Sequence, residues 1–220
     1  IAVTSGANCM DIAGPFVIER PEPIVFDANP TPVTCNGEED GSITVEVLSG
    51  GIGLTQFAIA PNFNEFFSDA ATPGVYTFEN LTAGTYEILI QDENGCFEKD
   101  FITVSEPDEL QVVTIQTTPE LCIGANDGTA TFDIIGGTPF NDPLISADPY
   151  FEYKVEMIDP IDETGTGTFE AYTGQLQENL QGGASYLITV QDGNFCTTTE
   201  LFTMGIGVVL TAEPIVEYGC

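Results

Sequence analysis

The chain reads as all-β, a tandem of antiparallel β-sandwiches arranged end to end. Three observations carry that reading. Apolar residues alternate with a period of two over short runs, the pattern of strands with one buried face. Gly (23 residues) and Pro (14), with Asn and Asp, separate those runs, as turns between short strands require. Finally, the chain repeats itself: "CNGEEDGSITVEVLSGG" from Cys35 to Gly51 is echoed by "CIGANDGTATFDIIGG" from Cys122 to Gly137.

The echo continues. "LTAGTYEILIQDENGC" (Leu81 to Cys96) answers "LQGGASYLITVQDGNFC" (Leu180 to Cys196), and strand-like segments follow both. The first residues, "GANCMDIAGPFVIERPEP", resemble the end of the same unit. A period of about 90 residues is too long for a solenoid repeat and suits a string of small domains. The expected organisation is the end of a preceding repeat over 1–22, a sandwich over 23–108, a second sandwich with longer loops over 109–212, and the start of a following repeat over 213–220. The joint is expected near Asp108–Leu110, where Pro107 restricts the residue before it.

In the first unit the alternation predicts strands, in immunoglobulin-like order, over Ile24–Ala28 (A), Ser42–Leu48 (B), Thr55–Ala60 (C), Val75–Asn80 (E), Thr85–Gln91 (F) and Glu98–Ser105 (G). The B strand turns Ile43, Val45 and Val47 to one side; the F strand does the same with Tyr86, Ile88 and Ile90. In the second unit the corresponding strands are expected over Leu110–Gln116, Gly128–Ile135, Tyr150–Ile158, Thr168–Thr173, Ser185–Gln191 and Thr198–Met204. There Ala130, Phe132 and Ile134 form one inward set; Tyr153, Val155 and Met157 form another. "NDPLISADPY" and "DPIDETGTG" are extra loop length on the same scaffold. Tyr86 and Tyr186 open their strands after a Leu-containing turn, the setting of a tyrosine corner, in which the phenol oxygen bonds backbone a few residues upstream.

Composition excludes several chemistries. The chain of 220 residues carries 35 Asp plus Glu against three Lys plus Arg, a net charge of −32. Such a field repels nucleic acid and anionic lipid. There is no His, so Ser–His and Cys–His nucleophiles and His-ligated metals are excluded. No apolar run reaches the roughly 18–20 residues of a membrane helix. No catalytic or cofactor-binding residue is assigned, and the chain is not expected to be an enzyme. Hydrophobic residues make up 42%, enough for each unit to bury a core of its own.

The repeated motifs resemble the SprB repeat family: Cys-x-Gly-x-x-Asp-Gly, a strand, Gly-Gly, Leu-x-x-Gly-Thr-Tyr, a strand, Asp-x-x-Gly-Cys, a strand and Glu-Pro. The first unit matches at Cys35, Gly37, Asp40, Gly41, Gly50, Gly51, Leu81, Gly84, Tyr86, Asp92, Gly95, Cys96, Glu106 and Pro107. The second matches at Cys122, Gly124, Asp127, Gly128, Gly136, Gly137, Leu180, Gly183, Tyr186, Asp192 and Cys196; it departs with Thr129-Ala130 for Ser-Ile, Ser185 for Thr, and no Glu-Pro after its last strand. The resemblance implies a module of a very large, secreted surface protein of Bacteroidota, exported by the type IX system. The family's namesake is a gliding-motility adhesin. Expected partners are neighbouring repeats of the same chain, cell-surface motility or secretion machinery, and extracellular polysaccharide. The expected location is extracellular, at the cell surface and associated with the outer membrane.

An alternative function is a carbohydrate-binding or spacer module of a secreted enzyme. For sugar stacking, "FAIAPNFNEFFSD" offers Phe57, Phe63, Phe66 and Phe67. No cofactor is expected. Weak Ca²⁺ binding at the Asp40-Gly41 and Asp127-Gly128 turns is the one candidate, although Asp-Gly is above all a turn signal.

Six cysteines remain: Cys9, Cys35, Cys96, Cys122, Cys196 and Cys220. The family implies an oxidising compartment, where an even count favours disulfides. Three pairings are open, beside free thiols. Within units, the pairs are Cys35–Cys96 and Cys122–Cys196. Along the sequence, they are Cys9–Cys35, Cys96–Cys122 and Cys196–Cys220. In the third, the A–B cysteine of one unit meets the F–G cysteine of the next, so Cys35 bonds Cys196 while Cys96 and Cys122 bond repeats beyond this chain. Strand order weighs toward the third. The two turns of one unit lie a strand length apart, roughly 20 Å, whereas a disulfide needs Cα atoms within about 7 Å.

Overall fold

The structure, a computed structural model, describes residues 2–4, 10–12, 21–68, 72–146, 148–158 and 168–209. Strands β1 (Ala2–Thr4) and β2 (Met10–Ile12) pair antiparallel. Seven strands follow in the first unit: β3 (Val25–Thr31), β4 (Gly41–Ser49), β5 (Gln56–Ile59), β6 (Asn62–Phe67), β7 (Val75–Leu81), β8 (Gly84–Gln91) and β9 (Phe97–Val104). They form two sheets, ordered β3-β4-β7 and β6-β5-β8-β9. The second unit repeats the plan with β10 (Gln111–Thr118), β11 (Gly128–Ile135), β12 (Phe151–Ile158), β13 (Glu170–Tyr172), β14 (Gln177–Leu180), β15 (Ser185–Gln191) and β16 (Thr197–Thr203). Its sheets are ordered β10-β11-β14 and β13-β12-β15-β16. In strand letters both units are A-B-E against C′-C-F-G, the immunoglobulin-like sandwich.

The alternation explains which faces meet. In the first unit Ile43 and Val45 of β4 and Phe78 of β7 are buried from one sheet; Phe57, Ile88 and Ile90 of β5 and β8 are buried from the other. In the second, Ala130, Phe132 and Leu180 share one buried cluster with Tyr153, Ile188 and Val190 of the opposite sheet. Fully burying one such aliphatic or aromatic side chain contributes about 1.5–3 kcal/mol before entropy is counted. Met157, expected to point inward, is instead 53% exposed at the end of β12. Tyr186 stacks on Phe202 with centroids 5.4 Å apart, and its phenol oxygen accepts from the Gln181 amide at 2.7 Å.

Within the two sandwiches, two strands had no counterpart in the sequence reading, and one was given the wrong place. The Phe-rich stretch after β5 is β6, hairpinned to β5 around a cis Ala60–Pro61 peptide. In the second unit Thr168–Thr173 was expected as the E strand. The strand there, β13, pairs with β12 and so occupies the C′ place; the E place is taken by β14, which pairs with β11. Four-residue β14 has one buried side chain, Leu180, too few for a period to show. The "NDPLISADPY" insertion closes on a bridge between Phe140 and Tyr150, whose rings stack at 5.4 Å. The "DPIDETGTG" stretch lies outside the described residues.

By contact density the chain divides into two units. The first comprises the chain up to Thr31, Ser42–Glu79 and Gly84–Val104; the second comprises Pro32–Gly41, Asn80–Ala83 and the chain from Ser105. The turn carrying Cys35 follows β3 in sequence and still groups with the second unit.

Gly-Gly is obligatory where β4 and β11 end. Gly50 and Gly136 have φ of +77° and +72°, and a Cβ on either would overlap a backbone carbonyl oxygen, that of Pro23 or of Glu109. Gly37 has a similar φ of +79° but open space around it. Gly37→Ala should therefore cost only the left-handed penalty, about 1–2 kcal/mol. Gly50→Ala should cost clearly more, because backbone must move as well. Urea midpoints of the two variants check this; equal shifts would contradict it.

Candidate functional site

Each repeat of the sequence carries the same two polar turns, and each turn is organised by one aspartate. In the F–G turn, between β8 and β9 or β15 and β16, the aspartate is buried: Asp92 is 4% and Asp192 0% exposed. One oxygen of Asp92 accepts the amides of Asn94 (2.9 Å) and Cys96 (2.8 Å). The other accepts the amide of Ile52 (3.0 Å), just past Gly50-Gly51. Asp192 does the same for Asn194 (3.0 Å), Cys196 (2.9 Å) and Thr138 (2.8 Å). Buried carboxylates persist only when hydrogen-bonded this fully. The aspartate thus fixes the cysteine backbone and ties the F–G turn to the end of strand B. Gly137 leaves it room, since a Cβ there would lie 3.0 Å from the Asp192 oxygen.

In the A–B turn, Asp40 accepts the amide of Thr34 at 2.8 Å and Asp127 that of Leu121 at 2.9 Å. Each bond closes a loop around a cysteine. The Cys35 and Cys122 carbonyls accept from Glu38 (3.2 Å) and Ala125 (3.0 Å), so the two turns share one shape. A second carboxylate braces each. Glu106 accepts the Gly37 amide at 3.0 Å, and Glu120 accepts the Gly124 amide at 3.1 Å and the Asn126 amide at 3.2 Å. Glu120 is 3% exposed. It supplies from within the turn what Glu106 supplies from the end of the repeat, which accounts for the missing Glu-Pro in the second copy. Sequence reasoning missed Glu120, because nothing in one copy alone marks a single Glu in an acidic chain.

The second unit brings together the A–B turn of the first repeat and its own F–G turn. Cys35 and Cys196 form a disulfide with a Cα–Cα distance of 5.7 Å and a sequence separation of 161. Beside it the Asn194 side-chain amide donates to the Thr34 carbonyl at 3.1 Å. With Cys35 so bonded, the Cys35–Cys96 and Cys9–Cys35 pairs fall away. Cys122–Cys196 and Cys196–Cys220 fall with them, since Cys196 is the other half of that bond. The physical reason is strand length. In the second unit the Cys122 turn opens β11 and the Cys196 turn is pinned to its end, roughly 25 Å away at 3.3 Å per residue. Cys96 and Cys122 are free. Cys9 and Cys220 lie outside the described residues.

Of the residues considered for sugar stacking, Phe57 is fully buried. Phe57 and Phe67 stack on Tyr76 at 6.0 and 5.4 Å. Both are thereby committed to the sandwich, while Phe63 and Phe66 on β6 are half-buried. Among the described residues no three His, Cys, Asp or Glu converge to hold a metal ion. No described helix is long and apolar enough to cross a membrane.

The aspartate bonds set a pH dependence. Burial pushes the Asp92 carboxyl up, but the amides of Cys96, Ile52 and Asn94 outweigh it and hold it below its ordinary 3.8. The Thr34 hydroxyl and amide hold Asp40 low in the same way. A carboxylate whose folded pKa is depressed stabilises the fold above its unfolded value and loses that contribution as pH falls through the folded one. Protonation also relieves the repulsion of a −32 chain, so the test is a difference. Between pH 5 and 2 the wild type should lose more stability than Asp92→Asn, read from urea midpoints at each pH. Parallel pH curves would contradict the assignment.

Comparison with known proteins bears on this same stretch. No curated protein matches the chain. Among solved structures, a C-terminal 282-residue fragment of intimin, in complex with the intimin-binding domain of the translocated intimin receptor, is similar at 16% identity and a TM-score of 0.35. The alignment covers 85% of this chain and 64% of that one, so this chain spans just under two thirds of its length. The SprB repeat model matches residues 28–54, from within β3 through the Cys35 turn and β4 to beyond Gly-Gly. That segment is similar to an SprB repeat, and its signature recurs from Cys122.

Proposed function

We propose that this chain is a load-bearing stretch of a large, secreted cell-surface adhesin, in which sandwich repeats follow one another as a filament. Its role is structural and adhesive, not catalytic. The observation that carries the reading is the Cys35–Cys196 bond, because it fastens a turn written in one repeat into the unit formed by the next. SprB repeats are modules of adhesin-type surface proteins, and the chain is similar to one over 28–54. The finer reading is a gliding-motility adhesin of Bacteroidota, exported by type IX secretion and held at the outer membrane. Its partners are then its own neighbouring repeats, the motility or secretion machinery, and extracellular polysaccharide. Calcium enters only as a diffuse counter-ion to the charge of −32.

A filament that transmits pull from a surface must not lengthen under load. With the bond intact, the residues between Cys35 and Cys196 are shielded from force applied at the chain ends. Pulling single molecules by their two ends tests this. Reduction should release roughly 530–580 Å of additional contour length, at about 3.3–3.6 Å per residue over the separation of 161. Identical extension with and without reductant would remove the load-bearing role.

A further inference from the structure

We infer that Cys96 and Cys122 are the two open halves of the same disulfide latch, each shaped to bond the opposite half on another repeat of this kind. The bonded pair supplies the pattern. Cys35 sits in an A–B turn closed by Asp40, and Cys196 in an F–G turn held by Asp192. Cys122 occupies the A–B turn closed by Asp127, and Cys96 the F–G turn held by Asp92, with the same backbone bonds. The free cysteines are thus one of each kind, presented by backbones that already match the bonded ones.

The surroundings match too. Asn194, which donates to the Thr34 carbonyl beside the disulfide, has its counterpart in Asn94. Thr34 has its counterpart in Leu121. An incoming F–G turn would therefore place Asn94 against the Leu121 carbonyl. Around Cys122 the surface is apolar and open: Leu121 is 75%, Ile123 55% and Val208 67% exposed. Val208 bridges to Cys122, and its amide donates to the Leu121 carbonyl at 3.3 Å, which leaves that oxygen one further acceptor position. In a chain this acidic, exposed aliphatic residues gathered at one cysteine mark a contact surface. The occupant is the F–G turn of a neighbouring repeat, because such a turn is what the equivalent cysteine already holds.

The chemistry is thiol–disulfide exchange. One thiolate attacks a small-molecule disulfide and releases one thiol. The second thiolate then attacks the mixed disulfide and releases the other. Two electrons pass from the cysteine pair to the oxidant, and both cysteine protons are lost. Within a long chain the neighbouring repeat is tethered, which supplies effective concentrations on the order of millimolar.

The test uses the whole chain with Cys9→Ser and Cys220→Ser, leaving the Cys35–Cys196 bond in place. Two further versions are made, one with Cys96→Ser and one with Cys122→Ser. Both changed side chains are at least partly accessible, so the fold should persist, which circular dichroism verifies. Each version is incubated with oxidised glutathione, alone and mixed. Only the mixture should give a covalent dimer, and mass mapping should find Cys96 of one chain joined to Cys122 of the other. Dimers of equal yield from either version alone would mean indiscriminate thiol pairing. Monomers throughout would mean no complementary surface. In the parent chain, an internal Cys96–Cys122 link would mean the sequential pairing. Any of the three overturns the inference.

Discussion

Asp192 is fully buried and accepts three backbone amides, one of them from the cysteine four residues on. Much of the molecule depends on that constraint. The carboxylate sets where Cys196 points and joins the F–G turn to the end of β11. Together with Leu110 it crowds Gly137, where a Cβ would lie 2.9 Å from the Leu110 side chain and 3.0 Å from the carboxylate. The Cys35 turn is built the same way from the other direction, with Asp40 closing it and Glu106 bracing it. Two turns stiffened by carboxylate–amide bonds meet at a geometry where a disulfide forms without either having to search for the other. On the chain-entropy view, closing a loop of that length stabilises by roughly 5 kcal/mol, comparable to the whole stability of a small domain.

The same device explains why so acidic a chain folds. Few of its carboxylates have a cationic partner to find, with three Lys and Arg in all. Those at the turns are satisfied by backbone N–H groups instead, which need no opposite charge and no long side chain held in place. Lys99–Glu87 at 2.5 Å is largely exposed on its lysine side and adds little, while Lys154–Glu156 at 2.8 Å is largely buried; these two pairs use two of the three cations. Stability therefore resides in the sandwich cores and in the Asp turns, and the remaining negative charge repels other acidic surfaces.

Much of this was legible in the sequence, for physical reasons that can be named. Strands such as β4, β8, β11 and β15 bury every second residue, so the period of two shows. The duplication located the turns, since Asp-Gly, Gly-Gly and Asp-x-x-x-Cys recur at matching places. Strand order then made Cys35–Cys196 the favoured pair on reach alone. What stayed hidden was short or used its residues unconventionally. β6 reads as a Phe-rich loop because Asn62, Asn64 and Glu65 mask a strand whose Phe67 is spent on Tyr76. β13 and β14 have three and four residues, below the length at which alternation means anything. Burial of Asp92 and Asp192 is also invisible locally; only their partners at Ile52 and Thr138, some 40 to 54 positions away, make it affordable.

The central claim is that the repeated cysteine turn joins one repeat to the next, and its most direct test is the connectivity of the unreduced protein. Proteolysis without reductant, with free thiols alkylated at the start, followed by mass spectrometry of linked peptides, reads it out. The account predicts a Cys35–Cys196 peptide that disappears on reduction. A Cys35–Cys96 peptide in its place would contradict both the latch and the strand order that puts those two turns at opposite ends of a sandwich.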